Sequence, residues 1–286
     1  MIQSMTGFGK ATLQLESKKI NVEIKSLNSK GLDLNTRLPS VYRELELGLR
    51  AELSIKLERG KIDFLLFLES ATEQTTNKVN AEVVRNYMQQ LQTVAPQANE
   101  TELLKMAIRM PDALKVERDE IDPADWALIH ATIMEATENM IAFRTSEGAS
   151  LEKEFRLRIA NIRSYLESAI ALDHERIQLV RNKLQTAITE LAVAVDENRF
   201  EQELIYYLEK LDITEERVRL NNHLDYFLET IDGVQANGRK LGFITQEMGR
   251  EINTLGSKSN HAEMQKLVVM MKDELEKIKE QVLNVL

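Results

Sequence analysis

The chain is 286 residues long, with 37 Lys+Arg against 46 Asp+Glu, a net charge of −9, 43% apolar and 29% charged residues. Such a chain is globular, spans roughly two domains and can bury a core without covalent staples. It contains no cysteine, which excludes a disulfide scaffold, a zinc ribbon, an iron–sulfur cluster and a cysteine nucleophile, and leaves His, Asp and Glu as metal ligands.

The opening stretch MIQSMTGFGK lacks a basic-then-apolar leader, and no apolar run approaches the ~18 residues of a membrane span. A cytoplasmic protein that does not engage a membrane is expected. Apolar residues then alternate, with Leu13 and Leu15 followed by Ile20, Val22 and Ile24 across the polar Glu16-Ser17-Lys18-Lys19, predicting a hairpin. Leu32, Leu34, Thr36 and Leu38 predict a third strand. Ser40 is placed to cap a helix carrying Val41, Leu45, Leu49 and Leu53, with Gly60 as its left-handed stop. Ile62, Phe64, Leu66 and Leu68 predict a fourth strand. Residues 1–70 thus read as an antiparallel sheet backed by one helix, bounded by the polar stretch 71–77.

The remainder reads as helical, giving an α+β fold with a mainly α-helical body. Residues 71–145 read as a helical linker region, with short helices over 79–143 broken around Pro96, Pro111 and Pro123, and with Trp126 and His130 in the core. From Leu151, apolar residues at Phe155, Ile162, Leu166, Ile170, Ile177, Val180, Leu184, Ile188 and Leu191 predict a long coiled-coil-like helix over 146–196. At about 1.5 Å per residue the stripe from Leu151 to Leu191 alone would reach about 60 Å and protrude as an arm or pack on another subunit. His174 lies on its solvated face.

Residues 197–286 carry the densest polar pattern. Asp212, Glu216, Arg219 and His223 share one face beside the apolar stripe Ile213, Leu220, Leu224, Phe227 and Ile231. Asp212 with Glu215 equally resembles a capping box, and Glu216 with Arg219 a surface ion pair. In the next helix Glu247, Arg250 and Glu251 fall together opposite Leu241, Ile244, Met248 and Ile252. Carboxylates one turn apart can seat Mg²⁺ or Mn²⁺, although on spacing alone intrahelical salt bridging is the simpler account. A break at residues 256–260 offers backbone amides and Lys258 to a phosphate, ahead of a helix that Asn260 and Glu263 would cap. It lacks the spacing of a P-loop.

Several motifs in order resemble the YicC/YloC-like proteins of bacteria: SMTGFG (Ser4 to Gly9), the Asn28 to Asp33 turn, RLP at Arg37, ERGKI around Arg59, RTSEG at Arg144, NRFEQE at Asn198, DITEERVRLNNH at Asp212 and GRKLGFITQEMGREINTLGSK from Gly238. The resemblance covers the whole chain. It implies a divalent-metal-dependent endoribonuclease connected with small regulatory RNA, assembled as a ring-like homo-oligomer, a hexamer. Three positions depart from the family pattern: Gly242 stands where Asp is usual, Gly249 where a polar residue such as Asn is common, and His261 where Asp or Asn is found.

Phosphodiester cleavage needs groups that neutralise phosphate, activate a nucleophile and protonate the leaving oxygen. His223, Glu247, Arg250, Glu251 and Lys258 are the catalytic candidates, and Asp212, Glu216, Glu247 and Glu251 the metal ligands. The nucleophile is either a metal-activated water or the RNA 2′-hydroxyl, with His223 as the proton carrier. Residues 198–263 carry 8 Lys+Arg against 12 Asp+Glu, so this region needs cations to accept RNA, whereas residues 18–61 carry 10 against 6. Lys25, Lys30, Arg37, Arg59 and Lys61, with Arg219, are therefore the expected RNA-binding residues. Two rival readings are a non-catalytic RNA adaptor and a structural oligomer.

Overall fold

A single 49-residue helix, α4 (Pro123–Ala171), organises the molecule. The computed structural model describes residues 2–15, 18–70, 77–116, 122–190, 197–233 and 238–286. At about 1.5 Å per residue α4 spans about 70 Å, and its two halves serve two different cores. Pro123 starts this helix rather than breaking one: its missing N–H falls in the first turn, where no intrahelical acceptor exists, and Asp122 caps the amide of Ala124. The long helix therefore begins some twenty residues earlier than the periodicity indicates.

Strands β1 (Gly7–Gln14), β2 (Lys18–Leu27), β3 (Leu32–Arg37) and β4 (Gly60–Ser70) form a sheet of order β1-β2-β4-β3. The β1–β2 and β2–β4 ladders are antiparallel, but β3 runs parallel to β4. This makes the sheet mixed rather than antiparallel. The cause is the connection: a 3-10 turn over Ser40–Leu45 and helix α1 (Glu46–Leu57) carry the chain back across one face, the crossover that a parallel pair requires. Ser40 makes no cap, and Gly60, at φ +123°, opens β4 instead of ending the helix. Ile20, Val22, Ile24, Ile62, Phe64 and Leu66 point toward α1 and the first half of α4, where Leu49, Leu53, Ile129, Ile133 and Met140 complete the core. Trp126 is half-buried against Tyr42, and His130 pairs with Glu52 at 2.7 Å at the edge of that core.

Helices α2 (Ala81–Val94) and α3 (Glu100–Ala107) follow, with a short ladder of β5 (Asn77–Val79) and β6 (Leu114–Val116) that the pattern does not predict. The expected boundary at residues 71–77 lies mostly outside the described residues.

The second half of α4 packs with α7 (Thr214–Asp232), α8 (Gly238–Lys258) and α9 (Ala262–Val282). Phe155, Ile159, Ile162 and Leu166 meet the stripes Leu220–Leu224–Phe227, Leu241–Met248–Ile252 and Met271–Leu275–Ile278, and Phe155 contacts Phe227 edge-on at 5.6 Å. The seam assigned to an arm is thus half core. Only α5 (Asp173–Glu190), after a break at Leu172, projects with α6 (Glu197–Lys210). Among its described residues α5 buries no apolar side chain; Ile188 and Leu191 lie outside those whose side chains are described.

Residues 2–6 tie the two cores together. Ser4 N–H donates to the Arg144 carbonyl, Met5 N–H to that of Asn284, and Leu286 N–H to that of Gln3. Gly148 on α4 admits this crossing, since a Cβ there would lie 2.0 Å from the Ile2 carbonyl oxygen.

Candidate active site

Lys258, the last residue of α8, donates its ammonium to Glu216 Oε1 on α7 at 2.7 Å. Glu216 is only 4% exposed, and its second oxygen, Oε2, is buried with no hydrogen-bond partner. An ionised carboxylate in such surroundings requires its partner, because removing one member of a buried pair leaves an uncompensated charge. Asp212 stands beside them. Its carboxylate accepts from the Thr214 hydroxyl at 2.7 Å and the Thr214 amide at 3.1 Å, and these bonds, with the nearby Lys258 charge, hold it below the ordinary carboxylate range.

The pair also fixes the register of the two helices. Glu216 lies at the start of α7 and Lys258 at the end of α8, so the helices are antiparallel. His223 is seven residues after Glu216 and Glu251 seven before Lys258. Seven residues are about 10 Å of axial rise and two turns less about 20°. His223 and Glu251 therefore stand level with each other, on the same helix faces as the ion pair. Glu251 is buried and His223 half-buried. One turn beyond, Glu247 accepts from Arg250 at 3.2 Å, with Arg250 76% exposed.

Arg219 pairs with Glu215, not Glu216, and both are exposed. Such surface pairs are weak, so Arg219 and Arg250 can exchange a carboxylate for a phosphate at little cost. The turn after α8 is closed differently from expectation. His261 caps α9, its Nδ1 accepting from the Met264 amide at 3.4 Å, and neither Asn260 nor Glu263 takes that role. An imidazole nitrogen here supplies the acceptor that Asp or Asn offers at a helix start.

Glu216 bonds Lys258 and Asp212 lies near it, while Glu247 and Glu251 lie two to three turns along the α7–α8 seam. Among the described residues no three His, Asp or Glu side chains converge to hold a metal ion. The four expected ligands thus do not form a single site within one chain. Gly242 is farther still, sixteen residues or about 24 Å along α8 from Lys258, and a Cβ there would touch only Val282 at 3.9 Å.

The basic residues of the sheet lie elsewhere. Lys25 is exposed on the open face, bonded to Glu23 at 3.5 Å and set over the Phe8 ring at 5.8 Å. Lys61 and Arg37 are exposed on that same face, and Lys30 in the preceding loop. Arg59 is half-buried and donates to the Ser29 carbonyl at 2.9 Å, which commits it to the loop. The Asn28 side chain reaches the Leu283 carbonyl at the far end of α9, so the sheet abuts the helical body about 30 Å from Lys258.

Two arginines escaped the sequence reading. Arg144 is fully buried at the junction of sheet and α4, and Arg176 is 2% exposed at the root of α5. The available signals were RTSEG for the first and an Asp173–Arg176 spacing of one turn for the second. Among the described residues no helix is long and apolar enough to cross a membrane.

Two family models cover the chain: "Endoribonuclease YicC-like, N-terminal region" matches residues 2–153, and "Endoribonuclease YicC-like, C-terminal" matches residues 170–286. A protein of Clostridioides difficile named "Probable endoribonuclease YicC" is 31% identical over 293 residues, with all of both chains covered. A Haemophilus influenzae protein of the same name is 31% identical over 286 residues, covering 99% of each chain.

Proposed function

Because this chain belongs to the YicC-like endoribonuclease family, we propose that it cleaves RNA internally, along the α7–α8 seam. The observation that carries this reading is the buried Glu216 carboxylate paired at 2.7 Å with the half-buried Lys258, and helix periodicity puts His223 and Glu251 at one level of the seam two turns away. A purely structural seam has no need of a buried carboxylate with an unbonded oxygen. Arg250 and Arg219 engage the phosphate and Lys258 supplies charge where the transition state gains it. His223 takes the proton of the attacking 2′-hydroxyl or water and Glu251 orients the ring, with Glu247 at the exposed mouth. RNA is held on the sheet by Lys25, Lys30, Arg37 and Lys61, 30 Å or so from the chemistry, which favours substrates long or folded enough to span both.

Dependence on Mn²⁺ or Mg²⁺, a role in small-RNA turnover, a cytoplasmic setting and a hexameric ring belong to the same proposal. The exposed Ile205, Tyr206 and Tyr207 of α6 support self-association. Metal dependence rests on the family resemblance, since among the described residues of one chain no ligand set assembles.

The test is cleavage of a structured RNA by wild-type, Glu247→Gln and His223→Ala proteins of equal oligomer mass, in Mn²⁺, Mg²⁺ or EDTA. Loss of about 10²- to 10⁴-fold in His223→Ala is expected. Wild-type protein that binds RNA and cuts none would favour an adaptor instead, the reading to which Gly242 lends itself.

A further inference from the structure

Lys258 is held from two sides. Its ammonium faces Glu216, and its backbone carbonyl accepts from Nη1 of Arg176 at 2.8 Å. Arg176 belongs to α5, the base of the projecting arm, and is the only buried side chain of that helix among its described residues. Asp173, one turn earlier, grips the other edge of the guanidinium, at 2.9 Å to Nε and 2.6 Å to Nη2. A fork held along one edge by a carboxylate leaves its remaining N–H aimed in a fixed direction. That direction is the C-terminus of α8, where carbonyls lack intrahelical donors and positive charge is favoured.

The other carbonyls at this helix end are supplied locally. Ser259 Oγ donates to Leu255, Ser257 Oγ to Thr254, and the Gln265 amide to Gly256 and Ser259. The Lys258 carbonyl accepts from the Asn260 amide at 3.2 Å and, alone among the described carbonyls at this helix end, takes a second donor from the arm. Burying a guanidinium there is costly when an apolar residue would pack the same junction, so the contact calls for an explanation beyond adhesion.

We propose that Arg176 is a positioning residue for the reaction: it fixes the backbone of Lys258, and so the place of the ammonium, from the root of the arm. The chain of contacts runs Asp173, Arg176, Lys258, Glu216, across α5, α8 and α7. Orientation of the arm is thereby linked to the geometry of the seam. This rests on Lys258 acting in cleavage, as proposed above.

The experiment is steady-state RNA cleavage by full-length Arg176→Met, Asp173→Asn and Lys258→Met proteins and the Arg176→Met/Lys258→Met double variant, with oligomer mass and thermal midpoint recorded for each. Arg176→Met lowers kcat by about 10- to 100-fold and leaves KM within about twofold, since a misplacement near 1 Å is enough for that loss. Asp173→Asn gives a smaller fall in kcat with the same unchanged KM. In the double variant Arg176→Met adds no further loss, as expected for residues acting through one group. A folded Arg176→Met protein with wild-type kcat overturns the inference. Should that variant not fold, Asp173→Asn with wild-type kcat overturns it equally. If Lys258→Met itself cleaves normally, the seam reading fails, a result distinct from either.

Discussion

The guanidinium of Arg144 donates to the hydroxyl of Ser26 at 2.6 Å, with both side chains buried. Around this bond Arg144 also reaches the carbonyls of Leu57, Arg59 and Met5, while Ser26 donates to Met5 at 2.7 Å. Burial lowers the Arg144 pKa to about 10, against an opposing pull from Glu58. The segments SMTGFG, ERGKI and RTSEG meet here, so their shared role is to lock the sheet onto α4.

Arg144→Lys removes a planar fork that serves four acceptors; the Met5 carbonyl keeps the Ser26 hydroxyl and the Leu57 carbonyl keeps the Arg59 amide, but the Arg59 carbonyl and the Ser26 oxygen lose their donor. At about 1–3 kcal/mol for an unsatisfied group, a loss of about that size is expected. Urea unfolding checks it; a midpoint unchanged from wild type would refute the lock.

Gly148→Ala tests the crossing of residues 2–6 over α4. The added carbon would meet the Ile2 carbonyl carbon at 2.6 Å and its oxygen closer still, contacts that require the backbone to move. The helix gains from Ala, yet overpacking of about 1–3 kcal/mol exceeds that gain, so the variant should melt below wild type.

Gly242→Ala should do the opposite. The site is within α8 and open apart from Val282 at 3.9 Å, so the helix gains about 0.5–1 kcal/mol and the melting temperature rises. Gly242→Asp should leave cleavage unaltered if the seam near Lys258 carries the chemistry, measured as kcat on the same RNA.

Acid lability should centre on α4 and α9. Burial alone would raise the Glu274 carboxyl, but hydrogen bonds from Asn161, Lys277 and Arg158 outweigh it and hold it below the usual range. A depressed carboxyl contributes stability that is present above the unfolded value, about 4.3, and lost as pH falls through the folded one. Glu274→Gln should therefore make stability fall less steeply between about pH 5 and pH 3, as read by urea midpoints across that range. An identical slope would remove Glu274 from the account.

Period-two and helical stripes located β1 to β4 and helices α1, α7, α8 and α9, because each buries one face on a core within this chain. Ile20, Val22 and Ile24 read correctly for that reason, as did Leu241 through Leu255. Parallel pairing of β3 did not, since alternation fixes which face a residue takes and not which neighbour a strand finds. The arm was overextended for a related reason: Phe155 and Leu166 show the same spacing whether their partner is another subunit or α7–α9. At the site, Glu216 and Lys258 could each be singled out, but their 2.7 Å contact joins residues 42 apart in sequence. Arg176 was hidden because a buried guanidinium on a polar helix looks, letter by letter, like any solvated one.

The pairing of residues 3–5 with 284–286 also sets a timetable for synthesis. A ribosome must deliver residue 286 before Gln3 has its backbone partner, and Met5 waits for Asn284. During translation the sheet and the first half of α4 can assemble, yet the stretch of chain that joins them to the helical body stays open until residues 284–286 have been made. Joining of the two cores, rather than formation of either one, is then the contact of greatest sequence separation and the slowest to be reached.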